Sequence, residues 1–84
     1  MPENYRIGYV GILVEDMDSV EKVNAVLHEH NHLVIARMGL PYRDRGVAII
    51  SLVVDGTNDD ISALTGALGR IRGVSVKSML QKNI

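Results

Sequence analysis

Cysteine is absent from this 84-residue chain, which excludes disulfides and thiolate chemistry and fits a reducing cytoplasm. Neither sign of charge predominates: nine Lys and Arg against ten Asp and Glu leave a formal net charge of −1. No global field therefore draws nucleic acid or anionic lipid. Long apolar runs are missing too, since the longest falls far below the ~20 residues that cross a bilayer. The start, Met1-Pro2-Glu3-Asn4, has no basic region ahead of an apolar one, so no export signal is expected. Phosphate loops of the GxxxxGK(S/T) or GxGxxG type do not occur, and no motif assembles a Ser–His–Asp set. The expectation is a cytoplasmic protein that is not an enzyme, needs no cofactor and does not enter a membrane.

What is present is a folded domain's share of apolar residues, 46%, arranged in strands and two helical stripes. Residues 1–84 form a single domain. Tyr5 to Val14 reads as a first strand, with Ile7, Tyr9 and Leu13 on one face and Val10, Ile12 and Val14 on the other. Gly8 and Gly11 mark a bulge or a close backbone approach. Asp18 with Glu21 forms a capping box for a helix whose stripe is Val20, Val23, Val26, Leu27 and His30. Asn31 suits a left-handed C-terminal cap. Leu33 to Met38 is a second strand, and the turn-rich stretch Gly39 to Gly46 leads into a third, making a hairpin. Asp55-Gly56-Thr57-Asn58 stops the third strand, with Thr57 or Asn58 capping a second helix whose stripe is Ile61, Leu64, Leu68 and Ile71. Gly66 and Gly69 permit close packing on the sheet or an early end. Gly73 turns the chain into a last strand, Val74 to Leu80, with Val74, Val76 and Leu80 inward and Lys77 outward.

The order βαββαβ predicts an α+β, ferredoxin-like sandwich: a four-stranded antiparallel sheet with two helices on one face. The first and third strands should be central and the second and fourth should be edges. The run Val47-Ala48-Ile49-Ile50-Ser51-Leu52-Val53-Val54 is apolar on both faces, interrupted only at Ser51. Two short helices cover one face of the sheet. A chain this small needs further support, and with disulfides excluded, a second copy is the natural cover for the other face. The expected uncovered patch is Val10, Ile12, Val14, Ile50, Leu52 and Val54, and the expected unit a homodimer or tetramer.

Three groups of residues invite a chemical reading. His28, His30 and His32 include an i, i+4 pair, as in metal-binding helices, but His30 points away from both others. A helix terminus decorated with histidines accounts for them, and no metal is assigned. Arg37, Arg43 and Arg45, with Tyr42, concentrate positive charge around the hairpin, where they can grip a carboxylate or phosphate or pair with Asp44. Asp55, Asn58, Asp59 and Asp60 fail the calcium-loop spacing, because its closing position falls on Gly66; capping explains them.

The segments Arg37-Met38-Gly39-Leu40-Pro41-Tyr42-Arg43-Asp44-Arg45-Gly46, Ile50-Ser51-Leu52-Val53-Val54-Asp55-Gly56-Thr57-Asn58-Asp59 and Leu64-Thr65-Gly66 resemble the small regulators of the iron-only hydrogenase system. That family is ACT-like and also resembles the C-terminal sensing domain of nickel-responsive repressors. The likeness to those repressors covers their sensor, without their ribbon-helix-helix domain or the cysteine of their metal site. The resemblance implies homo-oligomerisation and a regulatory, effector-sensing role. The acidic loop Glu15, Asp16 and Asp18 takes the usual ACT effector location between first strand and first helix. With the hairpin residues Arg37, Tyr42, Arg43 and Arg45, it forms the candidate ligand- or partner-binding set. The alternatives are a protein-binding subunit with no small-molecule ligand, and weak DNA binding by an oligomer that gathers its arginine hairpins; direct nucleic-acid binding is not expected from the charge.

Overall fold

The computed structural model describes residues 4–82. Its elements are β1 (Tyr5–Val14), α1 (Val20–Glu29), β2 (Val34–Tyr42), β3 (Val47–Thr57), α2 (Asn58–Gly69) and β4 (Val74–Leu80), with short 3-10 turns at Met17–Ser19, Asn31–Leu33 and Arg43–Arg45. The strands form one antiparallel sheet in the order β2-β3-β1-β4. Each helix carries the chain over a central strand to the next parallel position, the split βαβ arrangement expected from the sequence. The family of folds is thus ferredoxin-like, consistent with the ACT-like class.

Parity along the central strands decides where the core lies. Val10, Ile12 and Val14 of β1 and Ala48, Ile50, Leu52 and Val54 of β3 are buried beneath the helices. They meet Val23 and Leu27 of α1, Leu33, and Ile61, Leu64 and Leu68 of α2. Full burial of such side chains stabilises by roughly 1.5–3 kcal/mol each. The patch expected to be uncovered is therefore the core itself. The helix-free face is the opposite parity, with Tyr9, Leu13, Ile49 and Val53 exposed. The helices cover the even positions of β3, which carry no polar side chain, whereas Ser51 and Asp55 share the odd face.

Several local expectations change. Asp18 and Glu21 form no capping box: Asp16 caps the 3-10 turn instead, its Oδ1 accepting from the Asp18 N–H at 3.0 Å, and Ser19 precedes α1 with no side-chain cap. The C-terminal cap of α1 is His30 at φ −110°, and no non-glycine residue among those described has positive φ, so Asn31 is not a left-handed cap. Thr57 does cap α2, accepting from the Asp60 N–H at 3.0 Å. Gly69 faces open space and Gly66 meets only the end of Arg70, so neither helix glycine serves close packing; α2 simply ends at Gly69. In β1 the pairing is continuous, without a bulge. Gly8 does mark a close approach, to Leu80, whereas Gly11 does not. The bulge lies in β2, where two steps from Val34 to Ala36 oppose one from Val54 to Val53. That extra residue, Ile35, reverses the parity of the strand, and turns Met38, Leu40 and Tyr42 onto the helix-free face. β2 also continues to Tyr42 and β3 to Thr57, past the expected stops at Met38 and Val54.

Candidate functional site

One end of the sheet gathers three loops. Val14 pairs with both Ala48 and Val74, and Tyr42 pairs with Val47. The acidic stretch after β1, the β2–β3 hairpin and the α2–β4 turn thus emerge together. Asp16 ties the first of these to the third. Its carboxylate meets the Arg72 guanidinium at 3.7 Å, the Glu15 N–H donates to the Gly73 carbonyl at 2.7 Å, and the Ser19 hydroxyl donates to the Arg72 carbonyl at 2.7 Å. Ser19 is the one residue with a polar side chain that is buried among the described residues, and a hydroxyl taken out of water must find a partner. Sequence reasoning missed Ser19 and Arg72 because nothing in local spacing joins positions about fifty apart. Of the acidic trio, Asp16 is committed to the fold, while Glu15 and Asp18 point their charge into solvent.

The arginine set separates. Arg37 lies opposite Leu52 in mid-strand on the helix side, and its Nη2 donates to Asn24 Oδ1 of α1 at 2.8 Å. Arg43 and Arg45 occupy the exposed hairpin tip, which Gly46 closes at φ +66°. Asp44 forms no ion pair with them; among the described residues the ion pair found is Arg72 with Asp16. Tyr42 belongs to the helix-free face, opposite Val47. His28 ends α1, His30 is half-buried at its cap and His32 lies in the following turn. Among the described residues no three metal-ligating side chains gather.

The helix-free face is a continuous, mostly apolar surface. Tyr9 lies flat across it, its hydroxyl bonded to Ser51 Oγ at 3.0 Å and its ring passing over Gly11. The tyrosine proton thereby has an acceptor in the middle of an apolar surface, which lowers the cost of removing water from it. Around them stand Leu13, Met38, Leu40, Ile49, Val53 and Met79, the last 71% exposed. A shallow cleft between β1 and β4 is lined by Ile7, Gly8, Tyr9, Val53, Met79, Leu80 and Gln81. Toward the same end Asp55 sits beside Ile7, and its Oδ1 is buried without a hydrogen-bond partner. No described helix is long and apolar enough to cross a membrane.

Comparison with known proteins places these features in context. The family model described as "TM1266-like: Iron-only hydrogenase system regulator, putative" matches residues 6–78. Among solved structures, the uncharacterized protein TM1266 from Thermotoga maritima superposes with a TM-score of 0.88 at 38% identity, covering 93% of this chain and 99% of that one. The C-terminal domain of the MgtC protein from Mycobacterium tuberculosis has a TM-score of 0.70 at 13% identity, covering 96% of this chain and 93% of the other. A formyltetrahydrofolate deformylase from Pseudomonas putida KT2440 has a TM-score of 0.62 at 14% identity, covering 87% of this chain and 28% of its own. These last two share the fold alone. No curated protein matches the sequence.

Proposed function

Because the chain belongs to the TM1266-like family, we propose that it is a stand-alone, ACT-like regulatory module of the iron-only hydrogenase system that acts through homo-oligomer interfaces. In this reading it performs no catalysis. It binds a small-molecule effector, or a protein partner, where subunits meet. The observation that carries the reading is the helix-free sheet face, mostly apolar and with its two central polar groups hydrogen-bonded to each other. A contiguous patch of that kind marks an interaction surface, and a two-fold copy covers both patches at once. An effector then regulates by binding one packing of the subunits better than another. Glu15 and Asp18 on one loop, and Arg43 and Arg45 on the neighbouring hairpin, offer the uncommitted charges for recognition; the Asp16 carboxylate caps its own 3-10 turn and Arg37 bonds to Asn24 of α1.

Light scattering at micromolar concentration should give the mass of two or four chains. A thermal-shift panel of amino acids, nucleotides and transition-metal ions should raise the melting temperature with one class. A single-chain mass sinks the reading, and a flat panel sinks its small-molecule effector. The exposed arginine tip favours a second reading, a protein-binding subunit with no small-molecule ligand. An oligomer with a flat panel supports it, provided that Arg43→Ala with Arg45→Ala abolishes capture of a partner by the wild type.

A further inference from the structure

Among the described residues, Asp55 and Lys77 are the only charged strand residues on the helix-free face between the ends of the sheet. Each is unpaired among the described residues; Asp55 Oδ1 is enclosed within the protomer, so Oδ2 is the oxygen that a cation arriving from outside can reach. They cannot meet within one protomer. Asp55 lies on β3 opposite Ile7, and Lys77 on β4 opposite Gly11. On a sheet with strands about 4.8 Å apart and same-face residues about 6.7 Å apart, that is a separation of roughly 16 Å.

We propose that the helix-free face packs against the same face of a second copy, and that Asp55 of each copy pairs with Lys77 of the other. The inference deepens the homo-oligomer reading and rests on it. Charge complementarity chooses the occupant: one acid and one base, both unpaired, are what a two-fold axis satisfies reciprocally. On the grid just described, the line that exchanges the two positions runs beside Tyr9, near the middle of the face rather than off its edge. The same operation carries Met79 over the other copy's cleft between β1 and β4. Size agrees as well. The face measures on the order of 600 Å² per copy by the same spacings, roughly a tenth of the protomer's 5779 Å². Two such faces bury about 1,200 Å², above the ~1,000 Å² that a specific interface requires. The Tyr9–Ser51 hydrogen bond gives the tyrosine proton an acceptor within the face, which lowers the cost of bringing the sheets together.

Charge reversal tests the pairing. In Asp55→Lys homodimers, and in Lys77→Asp homodimers, like charges meet twice. When the two variants are mixed, each reversed charge meets an opposite one. Native mass spectrometry of the mixture should show the mixed pair in at least tenfold excess over the statistical share, and an excess that shrinks in 0.5 M salt. Statistical mixing of variants that still associate overturns the pairing and leaves the homo-oligomer reading standing. A single-chain mass for the wild type overturns both. If circular dichroism shows that a reversal does not fold, Asp55→Asn and Lys77→Met replace it. Non-additive losses of association in the double variant support the pair, and additive losses overturn it.

Discussion

Gly73 sits at φ +73°, and a Cβ there would stand 2.5 Å from Asp16 Cβ and 3.0 Å from the Asp16 backbone nitrogen. Both the dihedral and the contact forbid a side chain, and the contact is with backbone that cannot swing aside. Gly46 has a similar dihedral, +66°, but open space around it. The pair separates conformational strain from steric exclusion. Gly46→Ala should cost about 1 kcal/mol, near the low end for a left-handed non-glycine residue, and Gly73→Ala about 3 kcal/mol or more. Urea denaturation of the two variants checks the ordering; equal losses would mean that the Asp16 loop yields. By contrast the Arg72–Asp16 ion pair, with the arginine 91% exposed, contributes little in water. The turn at Gly73 was legible because glycine punctuates an apolar pattern. Its partner was not, since Asp16 reaches it only once the sheet has formed.

Among the elements, β2 stands apart. Beyond Val34 every residue of the strand is exposed, whereas the central strands β1 and β3 alternate between exposed and buried positions. No helix covers its outer half; Val34 packs at the edge of the core, and beyond it the strand bonds to the helix layer through Arg37 and Asn24. Local opening should therefore detach β2 first. In hydrogen exchange, β2 amides that bond to β3 should lose protection well before the β1 amides that bond to the same strand. Simultaneous exchange would show that the hairpin opens only with the whole sheet. The element order, both central strands and the Thr57 cap were readable from periodicity and turn chemistry. The parity of β2 was not. Alternation in Val34-Ile35-Ala36-Arg37-Met38 gives no sign of a bulge, and a single extra residue exchanges the two faces of everything after it. A reading of the hairpin as one arginine cluster fails for the same reason: Arg37 turns toward α1, while the two tip arginines turn to solvent.

For the molecule as a whole, two apolar faces were legible in the sequence, but the face expected to be uncovered is the one the helices take. The signal was present: Ser51 and Asp55 share the parity of Ile49 and Val53, while the even positions of β3 are free of polar side chains. Neighbouring residues therefore answer different questions. Ile50 is 7% exposed beneath the helices, and Ile49 is 36% exposed on the opposite side. Ile50→Ala should remove about 2–5 kcal/mol of protomer stability by leaving a cavity. Ile49→Ala should leave the dissociated protomer within about 0.5 kcal/mol of wild type, the range of a surface change, while weakening self-association at least tenfold. Association adds to apparent stability by mass action. The wild-type melting temperature should accordingly rise with protein concentration, and that dependence should be flattened in the Ile49 variant over the same range. Melting curves across a hundredfold concentration series, read beside light scattering, decide the matter. A wild-type melting temperature independent of concentration, with a single-chain mass throughout, would mean that this apolar face meets water, and regulation through subunit packing would lose its physical basis.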